Sequence, residues 1–167
     1  FEGMFAAAIH DIQTNTHTLV RDHLGQKPLY YFEHGREFAY ASELRGLLAL
    51  DGFNWSIDRE NFIRYLANSY YVWDTTPLKG VKKLLPGCLI QIQNNRVELK
   101  RYWDSVPGDD PLDLTLDEAS RQFADHFDRN CQDSMRSDVP YGVLLSGGID
   151  SSLVLHACRK HNPNVTA

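Results

Sequence analysis

The chain has 167 residues, 43% of them hydrophobic, and a formal net charge of −5 at pH 7, a composition typical of a globular protein with a buried core. This acidic balance offers no overall attraction to nucleic acid or to an anionic membrane surface, so we expect neither as a partner. No apolar run approaches the roughly 20 residues of a membrane helix. The three cysteines, Cys88, Cys131 and Cys158, lack the close spacing of zinc and redox motifs and predict a reducing compartment, the cytoplasm.

The first region, residues 1–104, alternates short β-like runs with turns. Residues 18–20 and 29–32 predict strands on either side of a turn-rich segment. Near the end of the region, residues 89–93 and 96–100 alternate in polarity around Asn94-Asn95. This pattern predicts a β-hairpin, because Asn tolerates the positive φ that a tight turn demands.

Two helices are predicted within the first region. A short one follows Ser42, a residue type favoured as N-cap. A longer one follows Asp58, because apolar side chains then recur at helical spacing on one face: Phe62, Ile63, Leu66 and Ala67.

Residues 105–114 separate the first region from the last and contain Pro-Gly-Asp-Asp-Pro at 107–111. This composition favours neither helix nor strand, so we predict a linker between two domains, 1–104 and 115–167. In the second domain Thr115 and Glu118 have the spacing of a capping box, and apolar residues recur at helical intervals as far as Met135. A helix of roughly five turns is therefore predicted.

After this helix the apolar run 141–145 predicts a buried parallel strand, followed by a glycine-rich turn and a helix over 151–158. Helix, strand, turn and helix in this order predict the opening of an α/β domain.

The segment 146–152 lies between the predicted strand and helix, and its residue types indicate a phosphate-binding loop. A helix N-terminus presents free N–H groups to an anion, Gly147 and Gly148 allow close backbone approach, and Ser146 and Ser151 add hydroxyl donors. Asp150 would repel bare phosphate, so we expect it to bind Mg²⁺. The alternative interpretation is an ordinary strand-to-helix turn with Asp150 as N-cap.

The loop lacks the lysine that follows the glycines of a Walker A motif. It resembles the loop of the N-type ATP pyrophosphatases, and the longer stretch 137–152 is similar to glutamine-dependent asparagine synthetases. Three earlier segments, 1–6, 21–31 and 41–44, resemble the later part of the class II glutamine amidotransferase domain of that family. Residues 83–87 and 101–104 resemble the segments that close this domain.

The resemblance implies an α+β amidotransferase sandwich of antiparallel sheets between helices over 1–104, then the start of an α/β parallel-sheet ATP pyrophosphatase domain. It implies an ATP-dependent amide ligase that uses glutamine-derived ammonia, most simply converting aspartate to asparagine through a β-aspartyl-AMP intermediate. Glutamine, aspartate and ATP are the implied substrates, and Mg²⁺ is implied at Asp150. The resemblance is also compatible with a homodimer. The residues expected to bind ATP and pyrophosphate are Leu145, Ser146, Gly147, Gly148, Asp150 and Ser151.

The sequence also departs from the family. Position 1 is Phe1 rather than the nucleophilic cysteine, the family's Asn-Gly-Glu-Ile-Tyr-Asn segment is absent, and its catalytic lysine would lie beyond Ala167. We therefore expect a fragment that carries no catalytic residue of its own and is inactive alone. Two alternatives stay open: a related, β-lactam synthetase-like amidotransferase acting on another carboxylate, a sugar or a peptide, and a truncated, non-catalytic binding module.

For the other residues that could take part in chemistry, the sequence context favours structural roles. Asp22 is predicted to accept hydrogen bonds from backbone amides and Arg21 to pair with a neighbour. The three cysteines are predicted to be core residues, and the scattered histidines do not form a metal motif. The aromatic residues predicted to lie in the core or at a domain interface are Tyr30, Tyr31, Tyr70, Tyr71 and Trp73.

Overall fold

The computed structural model of the protein describes residues 1, 3–35, 37–106, 108 and 111–167. Glu2, and the linker residues Pro107, Asp109 and Asp110, lie outside these ranges. The chain divides into two units, Phe1–Val106 and Pro107–Ala167. None of the helices in the described ranges is long and apolar enough to cross a membrane.

The first unit contains two antiparallel sheets. One has the strand order β1-β2-β6-β7, and its strands are β1 (Ala6–Asp11), β2 (Thr16–Arg21), β6 (Cys88–Gln93) and β7 (Arg96–Arg101). The other has the order β4-β3-β5, and its strands are β3 (Tyr30–His34), β4 (Glu37–Ala41) and β5 (Val81–Lys83). All the strand pairs are antiparallel, which confirms this part of the predicted fold class.

Alternation along the strands places apolar side chains on both faces of the smaller sheet. Tyr31 of β3 packs with Leu19 of β2 and Ile90 of β6, so side chains of the two sheets meet in one core. The neighbours of Tyr31 on β3, Tyr30 and Phe32, pack against a second cluster instead. Its buried members are Leu47, Leu78 and Val81, and Leu47 belongs to helix α1 (Leu44–Leu48). The layers of this unit are therefore sheet, sheet and helix.

The hairpin predicted near residue 94 is present between β6 and β7, with Gln93 paired to Arg96. Both turn residues lie in the left-handed region, Asn94 at φ 51° and Asn95 at φ 57°. Positive φ at both central positions is the type I′ geometry, which matches the twist of the strands. The sequence signal and the observed turn agree.

Both helices predicted in the first unit are present, but the N-cap of the first was wrong. Glu43, in extended conformation, precedes α1, so this helix starts one residue later than a Ser42 cap would require. Helix α2 (Arg59–Asn68) has the predicted cap, because Asp58 Oδ1 accepts a hydrogen bond from Asn61 N at 3.0 Å. None of the α2 residues is buried, and its predicted apolar face is exposed within this unit.

The second unit contains helix α3 (Leu116–Ser134) and helix α4 (Ile149–His161). The predicted capping box is present in α3: Thr115 Oγ1 accepts from Glu118 N at 3.3 Å, and Thr115 N donates to Glu118 Oε2 at 2.9 Å. The two helices pack around a small core, whose buried members are Cys131, Ala157, Cys158 and Val165.

The parallel strand predicted over 141–145 was wrong. Residue Gly142 forms an isolated parallel bridge with Thr166, and Val143 N donates to Thr166 O at 2.9 Å. Leu144 is 96% exposed and Leu145 is 47% exposed. A strand requires a ladder of hydrogen bonds to a neighbour, and the partner segment around Thr166 supplies a single bridge. The apolar run therefore forms one bridge but is not part of a sheet in the described residues.

We expect Thr115→Ala to destabilise α3 by about 1 kcal/mol, because it removes the side-chain acceptor for Glu118 N. Helical circular dichroism during thermal unfolding measures the change. Ser42→Ala is the matched control, since Glu43, not Ser42, is the N-cap residue of α1. Equal losses in the two variants would contradict the assigned caps.

Candidate phosphate-binding loop

The loop before α4 is shaped by two consecutive glycines. Gly147 has φ +82°, in the left-handed region, and Gly148 is the N-cap of α4 with φ −79° and ψ 166°. A Cβ built on Gly147 would meet no atom within 4 Å. The backbone conformation, rather than crowding, therefore favours glycine at this position, and the space beside it is open.

Serine hydroxyls tie this turn to the first turn of α4. Ser151 Oγ accepts from Ser146 N at 3.3 Å, and it lies 3.2 Å from Gly148 O, to which it donates. Ser146 Oγ lies 3.1 Å from Ser151 Oγ and 3.4 Å from Gly148 N. Ser152 Oγ donates to Gly148 O at 2.7 Å. The structure thus brings Ser146 and Ser151 together at an exposed rim, whereas Ser152 is bonded to the helix backbone.

The N-terminus of α4 presents unpaired backbone donors. The first hydrogen bond of helical spacing joins Ser152 N to Gly148 O at 3.1 Å. The N–H groups of Ile149, Asp150 and Ser151 precede it and have no acceptor among the described residues. Three such groups at the positive end of a helix dipole can donate to the oxygens of an anion.

Asp150 is the second residue of α4 and is exposed. Its carboxylate has no hydrogen-bond or ion-pair partner within the described ranges. The N-cap is Gly148, so the alternative in which Asp150 caps the helix was wrong: the helix begins at Ile149, before Asp150. The described residues contain no group of three metal-binding side chains. A cation at Asp150 would need phosphate oxygens and water as further ligands, which is the coordination that Mg²⁺ commonly adopts.

Packing against α3 holds α4, and with it the loop, in place. Asp128 of α3 forms an ion pair with Lys160 at 3.3 Å, and its Oδ2 lies 3.0 Å from His161 Nε2, within hydrogen-bond distance. Beneath them Cys131 and Cys158 are buried and free, and burial, followed by the neighbouring Cys158, raises the pKa of the Cys131 thiol. The prediction that these two cysteines are core residues is confirmed.

The Arg21-Asp22 pair has the structural role predicted for Asp22. Asp22 is 1% exposed, and its carboxylate accepts from the backbone N–H groups of Phe5, Leu24, Gln26 and Lys27 at 2.9 to 3.3 Å. Arg21 contacts backbone rather than a side-chain partner: its guanidinium donates to Lys27 O at 2.7 Å and to Leu84 O and Gly25 O at 2.5 Å. The side chains of Arg21 and Asp22 therefore stabilise the loop at residues 24–27, which follows β2.

A cleft in the first unit was not predicted from the sequence. Its volume is about 550 Å³, and its walls include Arg21, Trp73, Lys83, Arg101 and Trp103. These residues belong to separate segments, so spacing along the chain gave no signal for them. Trp73 was predicted to lie in the core or at a domain interface; at 73% exposure it is not a core residue of this unit, and the domain-interface alternative stays a prediction. Tyr31, at 9% exposure, is a core residue.

Comparison with known proteins connects both units to one family. A family model described as a glutamine amidotransferase domain matches residues 1–103, and one described as asparagine synthase matches residues 122–167. The chain belongs to the glutamine-hydrolysing asparagine synthetase family. Within that family it is 30% identical to asparagine synthetase [glutamine-hydrolyzing] 3 of Bacillus subtilis over 95% of the chain. It is also 30% identical to asparagine synthetase B [glutamine-hydrolyzing] of Escherichia coli over 96% of the chain.

A relative with a different name, amidase chry2 of Gibberella zeae, is 35% identical over 91% of the chain. The chain spans 26% of the Bacillus subtilis protein, 24% of the Escherichia coli protein and 22% of amidase chry2. The chain therefore corresponds to about a quarter of the length of these relatives.

Proposed function

We propose that the chain supplies the pyrophosphate-binding loop of a glutamine-dependent amide ligase that converts aspartate to asparagine through β-aspartyl-AMP. The observation that carries this proposal is the N-terminus of α4, where Asp150 and three N–H groups with no acceptor in the described part of the chain follow the left-handed turn at Gly147. The similarity to asparagine synthetases named as glutamine-hydrolysing supports the same reaction.

In this proposal the loop holds the β- and γ-phosphates of ATP as a leaving group. The N–H groups of Ile149, Asp150 and Ser151 donate to phosphate oxygens, and the hydroxyls of Ser146 and Ser151 turn from each other to the ligand. The backbone at Leu145 leads into this site. The Asp150 carboxylate would hold Mg²⁺, and the chemistry that Mg²⁺ supplies when bound is neutralisation of the charge that develops on pyrophosphate.

We assign no catalytic residue for glutamine hydrolysis to this chain. The thiolate, not the thiol, is the nucleophile in such chemistry. Cys88, Cys131 and Cys158 are all buried, and burial raises the pKa of the Cys88 and Cys131 thiols. Three free thiols also fit a reducing compartment, so we propose the cytoplasm as the site of action.

A second candidate is a ligase of the same chemistry with another acceptor, such as a different carboxylate, a sugar or a peptide. The observation that favours it is the 35% identity to amidase chry2, a relative not named as an asparagine synthetase. Both candidates use the loop in the same way, and they differ in the group that attacks ATP.

The test is isotope exchange between labelled pyrophosphate and ATP in the complete enzyme. We expect exchange only when the acidic acceptor is present, because adenylation of the acceptor releases pyrophosphate. Aspartate as the sole effective acceptor supports the first candidate, and exchange with another acceptor but not aspartate supports the second. Release of ADP and phosphate would contradict both, since it indicates an acyl-phosphate route.

A further inference from the structure

The cleft in the first unit, with its volume of about 550 Å³, has a size typical of small-molecule sites. Its walls carry three permanently or normally cationic side chains, Arg21, Lys83 and Arg101, and none of its lining residues is acidic. Like charges gathered at a concave surface repel one another and raise the local concentration of anions. The cleft therefore has the electrostatics of an anion site.

The charges differ in how the protein compensates them. Arg101 pairs with Asp104 at 3.3 Å, and the Arg21 guanidinium donates to three carbonyl oxygens. Lys83 has no carboxylate within 4.0 Å in the described part of the chain; its Nζ lies 3.5 Å from Tyr71 O. Burial, followed by repulsion from Arg21, lowers the pKa of the Lys83 ammonium, and attraction to Asp74 opposes this shift. An anion in the cleft would offset the repulsion between Lys83 and Arg21 and stabilise the charged form of Lys83.

The aromatic wall provides a second, independent feature. Trp73 has φ +55°, a left-handed backbone that is uncommon for a bulky residue, and it lies in a turn. Trp103 also lines the cleft, and its ring meets the ring of His23 edge to face, with centroids 5.2 Å apart. Exposed indole rings beside cationic groups would shield an anion from water and strengthen its interaction with them.

We propose that this cleft binds a small oxyanion, a phosphate or a carboxylate group, with Lys83 as its principal charge partner. All the residues that line the cleft belong to the first unit, whereas the loop before α4 belongs to the second. The proposal does not depend on the amide ligase reaction, so either can fail without the other.

Tryptophan fluorescence of the chain, titrated separately with inorganic phosphate and with succinate, tests the proposal. The three tryptophans, Trp55, Trp73 and Trp103, all belong to the first unit, and two of them, Trp73 and Trp103, line the cleft. We expect a saturable change with at least one of the two anions. A response to phosphate alone identifies a phosphate group as the ligand chemistry, and a response to succinate alone identifies a carboxylate.

Lys83→Met keeps the length of the side chain and removes its charge, and we expect it to weaken binding about tenfold or more, as for loss of a charged hydrogen-bond partner. Lys82→Met is the matched control on the same strand, since Lys82 is exposed and pairs with Asp74 at 3.9 Å outside the cleft wall. The affinity of the Lys82→Met variant for the anion should equal that of the unsubstituted chain. Far-UV circular dichroism checks folding, and Arg101→Met, with an expected several-fold loss, replaces Lys83→Met if the latter unfolds.

Three results would overturn the proposal: no saturable response to either anion, unchanged affinity in the folded Lys83→Met variant, or equal losses in Lys82→Met and Lys83→Met. If Lys83→Met does not fold, unchanged affinity in Arg101→Met overturns it as well.

Discussion

Asp150→Asn in the complete enzyme is expected to lower amide synthesis by roughly 100-fold or more at fixed Mg²⁺, because the metal that stabilises the leaving pyrophosphate would lose its protein ligand. Asn keeps the size of the side chain and removes its charge. Glutamine hydrolysis should be largely retained, since Asp150 lies in the second unit, which the amidotransferase match to residues 1–103 does not include. The measurement is the rate of both half-reactions in one preparation.

Asp117→Asn is the control for this variant. Asp117 is also the second residue of a helix, α3, so its substitution removes the same favourable interaction with a helix dipole, worth about 0.3–1 kcal/mol, without touching the loop. Both variants should therefore unfold at similar temperatures, and Asp150→Asn alone should lose synthesis. Near-normal synthesis in a folded Asp150→Asn enzyme would remove this carboxylate from the active site.

Asp22→Asn is expected to destabilise the first unit by about 3 kcal/mol. The Asp22 carboxylate is the acceptor for four backbone N–H groups, whereas Asn has one acceptor oxygen and would turn an NH₂ group toward buried donors. Urea unfolding followed by tryptophan fluorescence measures this loss, because all three tryptophans lie in the first unit.

The same substitution has a pH signature. Burial alone would raise the pKa of Asp22, but the N–H groups of Lys27, Gln26, Phe5 and Leu24 together outweigh it, so the pKa lies below its ordinary value. A carboxylate with a depressed pKa stabilises the fold above its unfolded pKa of about 3.9 and ceases to do so as the pH falls through the folded value. The stability difference between the unsubstituted chain and Asp22→Asn should therefore shrink below about pH 4. Asp58→Asn is the control, and its free energy of unfolding should differ little from that of the unsubstituted chain, since Asn caps a helix about as well as Asp.

The features of the fold that the sequence predicted depend on neighbours within a few residues. Asn94-Asn95 determines the turn by its own φ preferences, and Thr115 and Glu118 satisfy each other's backbone across one helical turn. The interpretation of Asp22 as an acceptor for nearby amides follows from the same local logic. The position of the α4 helix after the glycines was also predicted from local residue types.

Other features depend on parts of the chain that are distant in sequence. An apolar run such as 141–145 indicates a strand only if a partner ladder exists, and the described residues supply one bridge at Thr166. The cap of α1 was misplaced by one residue because the backbone at Glu43, not the residue type at Ser42, determines where that helix starts. In the first unit, the cleft brings Arg21 beside Lys83 through contacts between segments, which no local pattern encodes.

The order of the larger sheet has a consequence for synthesis on the ribosome. Strand β2 is synthesised directly after its hairpin partner β1. Its other neighbour, β6, begins at Cys88, so the position opposite Leu19 has no partner until Ile90 has been synthesised. At about 5–20 residues per second, roughly 4–14 s pass before that partner exists. During this interval one edge of β2 is open to pairing with another chain.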